Sequence, residues 1–324
     1  MVPRRVFVLG TGAGLLAAPL AALAQPVGKS PLVGVLLAHR LDRDFPAFAG
    51  KLRELGYEDG RTIRLEIRSA DTRLDRLPRL AAELVAMKPV AIVTANTPPT
   101  HAAIEATGDI PIVMSQVGDA LGVGFVRNLS RPGGNVTGSS NISGDLAAKR
   151  LQILKEIVPG ARRIAVLFNP DDPVTTPQRR QGERAAAQVG VEVRFLAVRN
   201  EEGVIAAFAD AAAWPADAVQ WFAGQEQSFI PASIRIAAER RLPLMVPQRW
   251  QVEIGGLLAY SPDPRISYRT AALYVDKILK GARPGDLPVL QPTEIPLSIN
   301  ATTARALGLI LPSLILARAT DVFE

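Results

Sequence analysis

The sequence predicts an α/β protein with two similar Rossmann-like lobes, each built on a parallel sheet, joined by three chain crossings that act as a hinge. Three observations predict it. Short apolar runs without alternation, typical of strands covered on both faces, alternate with helical patterns. A strand–helix–strand plan recurs about 130 residues further along the chain. Glycine- or proline-rich breaks occur at 131–138, 255–256 and 284–292.

The first lobe opens with the apolar run LVGVLL at 32–37, which predicts a buried strand. A helical pattern follows at 45–55 and ends at Gly56, and residues 63–67 alternate as a strand. The same criteria predict a helix at 74–87, a strand at 90–93, a helix at 97–107 and a strand at 110–114.

The second lobe repeats this opening with a strand at 164–168, a helix at 175–189 that ends at Gly190, and a strand at 191–196. Its other expected helices lie at 145–158, 201–213 and 226–240, the last interrupted by Pro231, with strands at 217–222 and 244–246 and a helix at 266–279. We therefore expect residues 31–138 and 258–288 to form lobe 1, and residues 139–257 and 289–324 to form lobe 2.

The N-terminus fits an export signal better than a nucleotide-binding turn. Gly10, Gly12 and Gly14 lack the spacing of a dinucleotide fingerprint, and no acidic residue precedes Asp42. Arg4-Arg5 followed by an uncharged, Gly- and Ala-rich stretch and by ALA at 22–24 has the order of a signal sequence. It resembles a twin-arginine signal. We expect residues 1–24 to be removed on export to the periplasm, with a retained N-terminal anchor as the alternative.

Composition excludes several classes of protein. The 324 residues carry a net charge of +6, which falls to +4 once Arg4 and Arg5 are removed, and aromatic residues make up 5%. This small, dispersed excess argues against nucleic-acid binding. No other segment is long and apolar enough to span a membrane, so we expect no permanent span after signal cleavage. The chain has no cysteine, which excludes disulfides and a cysteine nucleophile.

Motifs for catalysis, metals and cofactors are lacking. No nucleophile elbow or phosphate loop occurs, and the two histidines, His39 and His101, have no zinc-site spacing. Each histidine is compatible with a ligand contact or with a plain surface loop. The carboxylate pair Asp171-Asp172 suits a turn or helix cap better than acid/base chemistry. We expect no catalysis, no metal and no cofactor.

The turns that follow the predicted strands carry small, neutral hydrogen-bonding residues. Ligands of open α/β sheets bind at the carboxyl ends of strands, so these turns predict a site for a small polar molecule. Thr97 and Thr175 stand where helix N-termini favour a carboxylate, although plain N-capping explains them equally well; Asp119 is positioned to receive an ammonium. The candidate ligand-binding residues are His39, Asn96, Thr97, Gln116, Asp119, Asn141, Asn169, Thr175, Gln225 and Gln248.

Longer stretches resemble a known family. They are KLRELGYEDGRTIRLEIRSAD, RLPRLAAELV, NLSRPGGNVTG, AAKRLQILKEIVPGARRIAVLFNPDDP, GGLLAYSPDPRISYRTAALYVDKILKGARPGDLPVLQPTEIPLSIN and ARALGL. From Leu32 to the C-terminus the chain resembles the periplasmic substrate-binding components of ABC transporters of the tryptophan/tyrosine type. The resemblance implies the type I periplasmic binding protein fold, a small-molecule ligand in the cleft, lobe closure, permease subunits as partners, and no catalysis.

Two stretches depart from the family pattern where the cleft is expected. Ala120-Leu121 follows Gly118-Asp119 in place of a Pro-Val-like step, and Gln248-Arg-Trp-Gln251 replaces a glutamate and arginine. A ligand other than an aromatic amino acid therefore stays open, and Trp221, Phe222 and Trp250 fit either a stacking surface or the core. A ligand sensor that feeds a membrane receptor, and a secreted enzyme on the same fold, are the alternative functions.

Overall fold

The computed structural model describes residues 30–39, 43–222 and 228–324; the expected export signal, residues 1–24, lies outside them. Two α/β units are built on separate sheets. The strands are β1 Leu32–Leu37, β2 Arg64–Ser69, β3 Ala91–Ala95, β4 Ile112–Val117, β5 Val136–Ser140, β6 Arg163–Phe168, β7 Glu192–Ala197, β8 Ala218–Trp221, β9 Leu244–Met245, β10 Leu258–Tyr260, β11 Leu297–Asn300 and β12 Asp321–Phe323.

The helices cover both faces of these sheets. They are α1 Pro46–Glu54, α2 Leu77–Ala86, α3 Thr97–Ala106, α4 Ser143–Ile157, α5 Thr175–Val189, α6 Glu201–Ala213, α7 Ile230–Glu239, α8 Arg249–Glu253, α9 Pro264–Leu279, α10 Ala301–Ala306 and α11 Ser313–Arg318. Short 3-10 helices occur at Leu74–Arg76 and Pro284–Asp286. None of the helices in the described part of the chain has the length and apolar character needed to cross a bilayer.

The first sheet has five parallel strands in the order β2-β1-β3-β4-β5. One face carries Val33 and Val35 against Phe48 of α1 and Tyr268 of α9. The other face packs against α2 and α3. Both faces are therefore covered, which explains why β1 reads as an apolar run without alternation.

The second sheet has seven strands in the order β12-β11-β10-β9-β8-β6-β7, and only the pairing of β10 with β11 is antiparallel. The strand–helix–strand repeat is confirmed: β1 pairs with β2, and β6 with β7, each parallel and in register over six residues. Helix α7 begins at Ile230, one residue before Pro231, which occupies the first turn, where a missing N–H costs nothing.

The chain passes between the two sheets three times: after β5, after β10, and between Leu290 and β11. The number agrees with the sequence prediction, but the positions differ. Strand β5 extends to Ser140 in the first sheet, and β10 belongs to the second sheet, so the expected lobe boundaries at 138/139 and 257/258 each fall two or three residues early. Strands β5 and β10 are short and their pairing depends on the rest of the sheet, so local sequence patterns did not place the boundaries correctly.

The glycine pair Gly255-Gly256 is a tight turn inside the second lobe and not a crossing. Gly255 has a φ of +120°, and a Cβ on Gly256 would lie 2.7 Å from a methyl group of Val246. The two glycines allow this turn to approach Ile234 of α7, Val246 after β9 and the carbonyl of Gln251 in α8. This is a local packing requirement, although a glycine pair in the sequence resembles a hinge.

Candidate ligand-binding site

A small polar cavity of about 40 Å³ lies between the two lobes. Gln116 of β4 and Asn141, just after β5, come from the carboxyl ends of the first sheet. Pro247-Gln248 follow β9, and Ser261 follows β10, at the carboxyl ends of the second. The cavity therefore lies where ligands of open α/β sheets bind.

A larger cavity of about 440 Å³ opens from the same place towards solvent. It shares Gln248, Ser261, Pro262 and Pro264 with the small cavity. The guanidinium carbon of Arg43, in the segment between β1 and α1, lies 4.9 Å from the ring centre of Trp250 in α8. This cation–π contact joins the two lobes at the mouth of the cleft.

The carboxylates around the mouth are paired with arginines. Arg265 contacts Asp263 at 2.6 Å, and Arg249 contacts Asp321 at 2.9 Å. Partial burial raises the pKa of Asp263, but hydrogen bonds from Arg265 outweigh it and hold that pKa below its ordinary value. The mouth of the cleft therefore carries charged side chains, but an arginine neutralises each of these two carboxylates.

Two other hollows, of about 580 and 450 Å³, lie elsewhere on the first lobe. One is lined by Leu32 and Arg64, which begin β1 and β2, and the other by Gly133 to Asn135, which precede β5. Both lie at the amino ends of strands, opposite to the edge at which such sheets bind ligands. Volume alone therefore does not identify the site.

The backbone at Gln116 is strained. Its φ is +57°, which is uncommon for a residue with a side chain, and it lies in the register shift between Met114 and Val117 of the β4–β5 pair. The residue is 9% exposed, and its side-chain Nε2 has no hydrogen-bond partner among the described residues. Strain and an unpartnered donor at one residue are typical of a binding site.

Gln248 is oriented by its neighbours in the second lobe. Its Oε1 accepts a hydrogen bond from Trp250 Nε1 at 3.0 Å, and its backbone N–H donates to Gln251 Oε1 at 2.9 Å. These two bonds leave the Nε2 amide as the side-chain group that Gln248 can offer to a ligand. Gln116 and Gln248 thus bring amide groups from both lobes to one cavity.

Several other predicted residues use their polar groups within the protein. Thr97 Oγ1 accepts from the N–H of Gly118, and Thr175 Oγ1 donates to the carbonyl of Asp172. Asp119 Oδ1 accepts from Gly122, and Asn169 Oδ1 from Asp171. Thr175, Asp119 and Asn169 thus bond within their own turns, as short polar side chains often do, whereas Thr97 joins the start of α3 to the turn after β4. All four side chains line neither cavity.

His39 and Asn96 lie at the carboxyl ends of β1 and β3 and also line neither cavity. Gln225 lies outside the described residues. His101 is exposed, with its Nδ1 3.6 Å from Glu105. Trp221 and Phe222 are core residues, since Trp221 is 1% exposed and donates from Nε1 to Ser233, whereas Trp250 lines the larger cavity.

Asp172 is buried in the turn between β6 and α5. It is 1% exposed; Oδ1 accepts from the N–H of Val174 at 3.1 Å, and Oδ2 has no hydrogen-bond partner in the described residues. Burial raises the pKa of this carboxyl from 3.8 to about 7. Its neighbour Asp171 is exposed and pairs with Arg199. In the described residues, no cluster of three or more potential ligands could hold a metal ion.

Arg150 and Ser261 are polar cavity residues that the sequence analysis missed, and Arg150 is the charged one. It lies on α4 four residues after Leu146, which also lines the cavity, and four before Leu154, in the core. Only 2% of Arg150 is exposed, and its Nε donates to the carbonyl of Tyr260 at 2.9 Å. A charged residue on the buried stripe of an amphipathic helix is the signal that could have found it.

Comparisons with known proteins agree with this architecture. The family model described as "ABC transporter substrate binding protein" matches residues 35–323. The tyrosine-binding protein of Clostridioides difficile (strain R20291) is 28% identical over 277 residues, 83% of this chain and 77% of that protein.

Two solved structures, each covered completely by 91% of this chain, have TM-scores of 0.85. One is a conserved domain protein from Vibrio cholerae O1 biovar El Tor, at 28% identity, and the other is the ABC domain from Streptococcus pneumonia in complex with L-Trp, at 24%. The expected type I periplasmic binding protein fold is confirmed. The chain belongs to the family of ABC transporter substrate-binding proteins.

Proposed function

We propose that the chain is an extracytoplasmic solute-binding protein that captures a small polar or aromatic molecule, an amino acid or another carboxylate, between its lobes and delivers it to an ABC importer. The observation that carries the proposal is the small cavity that Gln116 of one lobe and Gln248 of the other line together. A ligand there contacts both lobes, so its binding free energy depends on their approach.

Lobe closure is the mechanism that this arrangement supports. Three crossings join the lobes, and the Arg43–Trp250 contact spans the mouth. Residues that touch the ligand from both sides stabilise the closed form over the open one, and permease subunits can then distinguish the loaded protein. We assign residues 30–140 and 261–290 to one lobe and most of the remainder to the other.

The relatives support a small-molecule ligand of this class. One is named for tyrosine, and one structure contains L-Trp. The basic, apolar and small-residue order of residues 1–24 supports export, cleavage after Ala24 and a periplasmic location. A micromolar dissociation constant corresponds to about 8 kcal/mol, which several hydrogen bonds and the burial of one ring can supply.

A thermal-shift screen tests ligand capture. The melting temperature of residues 25–324 is measured in the presence of amino acids, aromatic acids, short carboxylates, sugars and nucleosides. A specific ligand raises the melting temperature in proportion to the logarithm of its concentration. We expect one chemical class to do so, and Gln116→Ala to abolish the shift while Asp119→Ala retains it. A shift that survives Gln116→Ala and is lost in Asp119→Ala would contradict the site.

Delivery needs its own experiment. Cells that lack this chain are given the radiolabelled ligand from the screen, and its uptake is compared with that of cells that carry the chain. The proposal predicts that uptake depends on both the chain and its permease. Unchanged uptake, together with confirmed binding, would favour the sensor alternative. Turnover of the bound compound would favour the enzyme.

A further inference from the structure

The outer face of helix α9 is both apolar and basic. It is formed by residues at helical spacing, which we call the α9 stripe: Ile266, Arg269, Thr270, Leu273, Lys277 and Lys280. Ile266 is 59% exposed, and Leu273, two turns further along the same side, is 37% exposed. The opposite side of the helix carries Ala271 and Val275, which lie in the core of the first lobe. The apolar side chains of the stripe are therefore additional to those that the fold buries.

The stripe contains no acidic residue, and the carboxylates beside it are already paired with cations. The Oε2 of Glu54 in α1 lies 2.9 Å from Lys51 Nζ and 3.1 Å from a guanidinium nitrogen of Arg269. The side chain of Asp276 is 11% exposed, and its Oδ1 lies 2.7 Å from Lys280 Nζ. Because two cations share the single charge of Glu54, this face keeps a net positive charge.

A lipid surface fits this face better than a protein pocket does. None of the hollows described above is lined by a residue of the stripe, so there is no recess here for the side chain of a protein partner. Helices that lie in the membrane interface combine basic residues with exposed apolar ones. Their long cationic side chains reach lipid phosphates while the methylene stems lie along the apolar surface. The charge and the apolar residues of the stripe both match such an interface.

Exposure of an apolar side chain alone does not produce this combination. Ile205 of α6 is 54% exposed, but the first turn of α6 carries Glu201 and Glu202. The positions one and two turns after Ile205 on the same side are Ala209 and Ala212. The side of α6 that carries Ile205 therefore has an exposed apolar residue without basic neighbours, and it provides a matched control.

We propose that the α9 stripe docks the protein on an anionic lipid surface. Its apolar side chains enter the boundary between headgroups and acyl chains, and its basic side chains contact the lipid phosphates. Arg265, one residue before the stripe, lines the larger cavity, so docking keeps the mouth of the cleft beside the bilayer. This contact goes beyond ligand capture and does not depend on which solute the cleft binds.

Sedimentation with lipid vesicles tests the contact. The protein is expressed from the full sequence, and its N-terminus is determined by mass spectrometry so that all variants are compared at the same length. Vesicles contain either equal parts of phosphatidylglycerol and phosphatidylcholine or phosphatidylcholine alone. We expect the protein to sediment with the anionic vesicles only. Raising the salt from about 10 mM to about 0.3 M should weaken this binding at least about tenfold, because salt screens the attraction.

Variants of the stripe locate the contact. Lys277→Gln should lower partitioning onto the anionic vesicles about fivefold, as expected for the loss of one basic residue at such a surface. Ile266→Ser should lower it by a similar factor, because part of an apolar side chain no longer leaves water. Ile205→Ser and Arg180→Gln, both at exposed positions of the second lobe, are the matched controls and should bind as the unaltered protein does. Melting temperatures confirm that each variant is folded.

Several results would overturn the proposal. One is sedimentation with neither kind of vesicle, and another is equal sedimentation with both. Binding to anionic vesicles that is unchanged in Lys277→Gln and Ile266→Ser would place the contact elsewhere on the chain. Binding to native membranes but not to protein-free vesicles would indicate an acidic protein partner instead of lipid. Ligand capture is measured separately in the thermal-shift screen, so each of these results leaves the proposed function standing.

Discussion

Replacing Gly138 with alanine should disturb both the fold and the candidate site. Gly138 lies in β5 with a φ of +127°, opposite Met114 of β4. A Cβ at this position would lie 2.0 Å from the carbonyl oxygen of Met114 and 2.7 Å from its nitrogen. Both atoms are backbone, so no side chain can move away to relieve the overlap. The two strands must separate next to Gln116.

The expected loss follows from two contributions. Backbone strain at an unfavourable φ costs about 1–3 kcal/mol. The overlap adds to it, because ordinary contacts to a Cβ are 3.4–4 Å and the strands would have to move apart by more than an ångström. A total of at least about 3 kcal/mol corresponds to a melting temperature lower by about 6–12 °C.

Differential scanning calorimetry of the purified variant measures this loss directly. Gly134→Ala is the matched control, since Gly134 lies in the same glycine-rich segment and a Cβ there would meet no atom within 4 Å. We expect the control to melt with the unaltered protein. A Gly138→Ala variant that melts within about 2 °C of the unaltered protein would refute the close approach of β4 and β5.

Two further predictions concern a buried charge and the cleft mouth. Because the pKa of Asp172 rises from 3.8 to about 7, its contribution to stability is complete below pH 3.8 and is lost as the pH rises through 7. Asp172→Asn should remove this dependence of the unfolding free energy on pH. At pH 8 the variant should be about 2 kcal/mol more stable than the unaltered protein, because abolishing the ionisation gains about 4 kcal/mol and an unpartnered amide costs about 2 kcal/mol. Urea unfolding at pH 4–8 measures this, with exposed Asp171→Asn as control; an unchanged slope in Asp172→Asn would contradict the burial. Trp250→Ala removes the ring under Arg43 and should weaken ligand affinity about two- to fivefold, while Ile254→Ala, at an exposed position at the end of the same helix, should not. Calorimetric affinities that are equal in the two variants would mean that the mouth contact does not stabilise the bound form.

Elements with strong periodicity were predictable from the sequence. The buried run of β1, the repeat at β6–α5–β7 and the helix ends at Gly56 and Gly190 all depend on local patterns. Strand β5 has the sequence VTGSS, with small and polar residues that do not resemble a strand, yet all five are buried. Its pairing with β4 is a tertiary effect, which local propensity does not contain.

The residues of the candidate site were likewise predictable only in part. Gln116 and Gln248 follow strands, so the rule that ligands bind at carboxyl ends finds them. Thr175 and Asp119 follow strands too, but their side chains bond within their own turns. Arg150 lies on a helix that comes after a crossing, so no rule about strand ends reaches it.

The site between the lobes is the central claim, and a crystal structure of the complex with the tightest-binding ligand from the thermal-shift screen tests it most directly. The account predicts electron density in the cavity between Gln116 and Gln248, with a ligand acceptor within hydrogen-bonding distance of the Nε2 of Gln116. Ligand density in the hollow beside Leu32 and Arg64, with the cavity between the lobes empty, would contradict it.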